Sequence, residues 1–60
     1  MIFKECYELF KRNRTRGMRR TSWNNNLVLT IDYFGSIVYN YNWLYGFSEE
    51  DLTATDWEIV

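Results

Sequence analysis

Hydrophobic positions follow two rhythms along this chain. Phe3, Cys6, Tyr7 and Phe10 stand at i, i+3, i+4 and i+7, the spacing that lines up side chains on one helical face. Leu9 widens that stripe, while Lys4, Glu5, Glu8, Lys11 and Arg12 take the wet side. The pattern predicts a helix over residues 3–12 with a stop at Asn13, where Lys11, Arg12 and Arg14 suit the negative end of the helix dipole. Cys6 on the inner face reads as a buried apolar filler.

Beyond Gly17 the rhythm shortens to two. "GMRR" is a short first edge strand, and "NNN" is a turn, because Asn tolerates left-handed backbone. "LVLTID" alternates Leu27, Leu29 and Ile31 against Val28, Thr30 and Asp32, as a strand does. "DYFGS" reads as a hairpin connection with Gly35 at positive φ. "SIVYNYNW" continues the alternation as one strand, with Ile37, Tyr39, Tyr41 and Trp43 on one face. Ser48 before Glu49, Glu50 and Asp51 is an N-cap with acids in the first turn, giving a short helical turn to about Thr53. A last strand over residues 56–60 puts Trp57 and Ile59 on one side. The expected fold is α+β and a single domain, 1–60: an N-terminal amphipathic helix on a small antiparallel sheet of about four strands, with a helical turn before the last strand.

Length and composition change this picture in one respect. A chain of 60 residues buries only about 60% of its unfolded surface, so one core is marginal. One cysteine forms no internal disulfide, and without histidine a Cys/His zinc site is out of reach, so no metal and no cofactor are expected. Twelve aromatic residues exceed what so small a core encloses. Self-assembly into a dimer or tetramer is the remaining support. Charge is also uneven: residues 1–20 carry net +5 and residues 21–60 net −6. That asymmetry favours head-to-tail association or an anion site at one end of the fold. The start has no apolar run long enough for a signal peptide, and no segment reaches the length of a membrane span. A cytosolic protein with reduced Cys6 is expected.

Candidate chemistry is sparse. No histidine serves as a base near neutral pH, and Cys6, Ser22, Ser36 and Ser48 have no evident activating partner, so no catalytic residue is assigned. The stretch "KRNRTRGMRRTSWNNN" is better suited to binding. Arginine presents a planar fork of donors that matches phosphate, and an indole offers a surface on which a base stacks. Arg16, Arg19 and Arg20 beside Trp23, with Asn24 and Asn25 reading polar edges, would make a nucleotide site. The alternative is that Trp23 belongs to the core and the arginines are solvated, or pair with Glu49, Glu50 and Asp51 of a neighbouring subunit. Tyr39, Tyr41 and Trp43 are candidates for an oligomer interface or a pocket wall, where Tyr and Trp are favoured.

Order and motifs together resemble a known family. The opening helix "FKECYELFKRN", the Arg-x-x-Trp segment of "GMRRTSWN", the hairpin "DYFGSIV" and the ending "DLTATDWEIV" follow one another as in the small phage family that includes the Thoeris anti-defence sponge proteins. Arg20, Trp23, Asp51, Ala54, Asp56, Trp57 and Glu58 fall on that pattern. The resemblance implies a homo-oligomer without enzymatic activity, working in the cytoplasm of an infected bacterial host. Such a protein sequesters a nucleotide second messenger of an immune system, of cyclic ADP-ribose or oligonucleotide type, in pockets between subunits. Two other classes stand beside it: an inhibitor that covers a host protein with the Tyr/Trp strand, and a small nucleic-acid binder using the basic loop.

Overall fold

The computed structural model describes residues 1–23, 27–39 and 43–60. The helical stripe forms α1, Phe3–Arg12, as its periodicity predicts. Cys6 and Phe10 on its inner face are fully buried. The strands are short: β1 Met18–Arg20, β2 Leu29–Ile31, β3 Ile37–Tyr39, β4 Trp43–Leu44 and β5 Trp57–Ile59. They form one antiparallel sheet in the order β4-β3-β2-β1-β5. The second helix, α2, spans Glu49–Thr53 immediately before β5.

Two expectations need correction. β1 is not an edge strand: it lies between β2 and β5, paired with both. Its short hydrophobic content concealed that, because only Met18 is apolar. The long strand read through Trp43 also gives way. β3 ends at Tyr39, and Trp43–Leu44 form a separate strand antiparallel to it, with Val38 opposite Leu44 and Tyr39 opposite Trp43. A fifth strand results. The alternation was preserved because residues directly opposite across a ladder share a face, so Tyr39 and Trp43 lie on one side by register. Tyr41 and the "NNN" turn lie outside the described residues.

Register decides which sheet face carries the core. Met18 stands opposite both Leu29 and Ile59, Leu29 opposite Tyr39, and Ile31 opposite Ile37. This face meets α1. Cys6, Phe10, Met18, Leu29 and Trp57 form the buried cluster, with Phe3, Tyr7, Trp23, Ile31, Ile37, Tyr39, Tyr45, Phe47, Ala54 and Ile59 packed around it. Several rings surround Trp57: Phe3 and Trp23 meet it edge-on at centroid distances of 5.6 and 5.4 Å, a favoured aromatic geometry. The surplus aromatics thus divide. Many wrap Trp57, whereas Tyr33, Phe34 and Trp43 are 96%, 86% and 62% exposed.

The opposite face is close-packed at one point. Gly17 pairs with Val60 through reciprocal backbone bonds of 3.1 and 2.9 Å. A Cβ there would collide with Val28 Cγ1 and press on Val60, so glycine is what lets these two valines approach across the sheet. Gly17→Ala is expected to cost about 1–3 kcal/mol through overpacking. A domain of this length holds roughly 3–9 kcal/mol in total. Urea denaturation should therefore show a clearly lowered midpoint, with an unchanged slope.

Candidate functional site

The arginine/tryptophan corner is built by strand register. Alternation along β1 sends Met18 and Arg20 to the helix side and Arg19 to the other, where it stands opposite Glu58. Arg20 pairs with Trp57 across the ladder, so its guanidinium leaves the sheet at the end of β1, beneath α2. There it meets three carboxylates: Asp56 at 2.9 Å, Glu50 at 3.4 Å and Asp51 at 3.5 Å. The pairing of arginine with the Glu49–Asp51 acids thus occurs within a single chain, and Asp56 is its shortest contact.

Asp51 is the hub of the acids. Its carboxylate accepts from the Tyr45 hydroxyl at 2.6 Å and the Ser48 backbone N–H at 3.1 Å. Its own N–H donates to Ser48 Oγ, which closes a capping box at the start of α2. Its carbonyl accepts the Trp57 indole N–H at 2.8 Å, giving the one polar atom of a buried ring its partner. Asp51 is only 5% exposed, yet it is held ionised. Burial pushes its carboxyl up, but the bonds from Tyr45, Ser48 and Arg20 outweigh this and set it below its ordinary value. The same bond burdens the tyrosine in the opposite sense: desolvation first, then the adjacent Asp51 carboxylate, pushes Tyr45 up to about 12. Asp56 is lowered to about 2, chiefly by Arg20 and then by Ser22, whose N–H it accepts at 3.1 Å.

The remaining site residues are not gathered at one point. Arg19 turns back along the loop, donating to the Trp23 carbonyl at 2.9 Å and the Arg20 carbonyl at 3.4 Å. Trp23 is half-buried against Tyr45 and Trp57, so it belongs partly to the core. Arg16 lies at the other end of β1, donating to the Val60 carbonyl at 2.8 Å. Four residues of extended chain separate it from Arg20, about 13 Å. Arg19, Arg20 and Trp23 are neighbours; Arg16 is not one of them. Asn24 and Asn25 lie outside the described residues. Tyr39 is half-buried on the core face and meets Tyr45 edge-on, whereas Trp43 is exposed on edge strand β4. Cys6 is fully buried, and burial pushes its thiol up.

Sequence reasoning missed Tyr45, which fastens Asp51, and it treated Ser48 and Asp51 as a helix start without seeing their tie to Arg20. The signal available was the capping pattern itself, which orders Asp51 near the end of the sheet. Among the described residues, no helix is long and apolar enough to cross a membrane. The chain matches no protein-family model, no curated protein and no solved structure.

The shifted groups define a pH window. Asp56 and Asp51 have folded values below the ordinary 3.8, so their contribution is complete above that value and is lost as pH falls below it, for Asp56 toward about 2. Tyr45 has a folded value above its ordinary 10, so its contribution is complete below pH 10 and lost as pH rises toward about 12. Urea midpoints measured across pH should decline on both flanks. In Tyr45→Phe the alkaline decline attributable to this group should vanish, and stability at neutral pH should fall by about 1.5–3 kcal/mol, the range for a hydrogen bond to a charged group.

Proposed function

We propose that this chain is a self-associating, non-enzymatic protein that sequesters a nucleotide signal of a bacterial immune system, as its resemblance to the phage sponge family implies. The observation that supports this best is the convergence of Arg20, Trp23, Asp51, Asp56 and Trp57, five residues carrying the resemblance, on one contiguous corner. Most of that corner is scaffold. Arg20 is engaged by acids and Trp57 is enclosed, so neither is the first group a ligand would meet. Their work is to hold the segment that starts at Trp23, whose carbonyl Arg19 pins and whose ring is half open.

In this reading the ligand stacks on the open part of Trp23. Asn24 and Asn25 serve its polar edges, and Arg19 supplies charge beside it. Arg16, at the far end of β1, reaches the ligand only from a neighbouring subunit, which is why the pocket requires an assembly. A cyclic ADP-ribose-type or oligonucleotide ligand has the rings and phosphates such a site recognises.

The exposed pair Trp43 and Leu44, 62% and 74% accessible on an edge strand, favours a second reading. An edge strand with bare apolar side chains is a ready surface for a host protein. Pull-down from bacterial lysate separates the two. A stoichiometric host protein supports the inhibitor, and its absence with a bound small molecule supports the sponge.

Isothermal titration against cyclic dinucleotides, cyclic ADP-ribose isomers and short oligoadenylates should reveal one tight ligand that is recovered intact after denaturation. Trp23→Ala should weaken it about 5- to 150-fold, the equivalent of one lost stacking contact. Recovery of a cleaved ligand would place the protein among enzymes instead.

A further inference from the structure

The fold sorts its charge to two ends. At one end, α1 finishes with Lys11 and Arg12, followed by Arg14. The guanidinium of Arg14 rests on the β2–β3 turn, since a Cβ at Gly35 would lie 3.0 Å from its Nη2. At the other end, the N-terminus bonds to the Trp57 carbonyl at 2.8 Å, and α2 begins with Glu49 and Glu50. The ten residues of α1 span the distance between, about 15 Å.

The basic end also displays two rings that no other described residue covers. Tyr33 and Phe34 are 96% and 86% exposed, edge-on to each other at 5.5 Å. They do not hang on a loose loop. Asp32 Oδ1 accepts from the N–H groups of Phe34 and Ser36 at 2.9 and 2.8 Å. Gly35, at φ 85°, bonds to the Asp32 carbonyl, and the Asp32 N–H bonds to the Ser36 carbonyl. The turn is preorganised, so holding the rings against a partner costs little further entropy.

We propose that the two ends dock between copies: Arg12, Arg14, Tyr33 and Phe34 of one copy seat against Glu49 and Glu50 of another. Charge complementarity selects a second copy as the occupant. Among the described residues, neither Arg12 nor Arg14 has a carboxylate at salt-bridge distance. Arg20 makes its shortest contact with Asp56 at 2.9 Å, while the Glu50 side chain, 3.4 Å from Arg20, stays 82% exposed and open to a second cation. Leu52, on the outer side of α2 and 50% exposed, offers the rings an apolar landing. A contact between different patches of identical copies is heterologous, closing into a ring when the rotation permits. This inference rests on the assembly part of the proposed function and supplies its surfaces; ligand binding is read out separately.

A charge exchange tests it in the full chain, by sedimentation velocity at low and high salt. The unaltered protein should assemble at tens of micromolar and dissociate as salt rises, since the Debye length shrinks from about 30 Å at 0.01 M to about 3 Å at 1 M. Arg12→Glu with Arg14→Glu should be monomeric alone, as should Glu49→Lys with Glu50→Lys, and an equimolar mixture should assemble again. Tyr33→Ser with Phe34→Ser alters only exposed side chains and should weaken assembly at least tenfold while circular dichroism remains unchanged. A monomeric wild type at low salt would overturn the proposal. So would assembly that survives the ring substitutions, or a folded mixture that stays monomeric. Assembly dispersed by single-stranded oligothymidylate, with the oligonucleotide bound at Arg12 and Arg14, would assign the basic end to nucleic acid and overturn it as well.

Discussion

The bond from the Trp57 indole to the Asp51 carbonyl, with Arg20 gripping the acids around it, is the constraint on which this fold depends. Few side chains among the described residues are fully buried, and Trp57 is the largest of them. An indole brings much apolar area, but its N–H must find an acceptor or burial forfeits about 1–3 kcal/mol of that gain. α2 supplies that acceptor. In doing so a five-residue helix, too short to persist by its own propensity, becomes part of the core. Ser48 caps it, Tyr45 ties it back to the edge of the sheet, and Arg20 joins it to β1 and to Asp56 before β5. Sheet, helix and closing strand meet at one carboxylate.

That arrangement changes the meaning of the charged motif. Arginines beside a tryptophan suggest phosphate and base contacts when seen in one dimension. In three dimensions Arg20 completes an acid network of which only Asp51 is buried, Arg19 fastens a loop, and Arg16 sits at the far end of the strand. The motif residues build the platform; in the proposed function, ligand contact falls to groups at its margin and to neighbouring copies. The rings left bare are Tyr33, Phe34 and Trp43. They are the surfaces that association would cover.

Local patterns were readable wherever a short range of sequence decides the conformation. The stripe Phe3, Cys6, Tyr7 and Phe10 produced α1, Ser48 produced its capped turn, and Gly35 took positive φ in its hairpin. Long-range choices were hidden. Nothing near "MRR" announces that β5 will pair with it across nearly forty residues, so β1 was placed at an edge rather than inside the sheet. Period-two alternation also runs unbroken through a reversal when cross-strand partners share a face, which hid β4 within "SIVYNYNW". The clustering of Arg20, Asp51 and Asp56 depends on those same pairings. It could be seen only once the register was known.

Hydrogen exchange of the Trp57 indole N–H, followed by NMR, tests the central claim most directly. If the indole–Asp51 bond belongs to the cooperative core, that proton will be protected to the same free energy as the slowest amides of α1 and β1, and will exchange only through global unfolding. Exchange of the indole at the rate of a fraying loop, while those amides stay protected, would contradict the account.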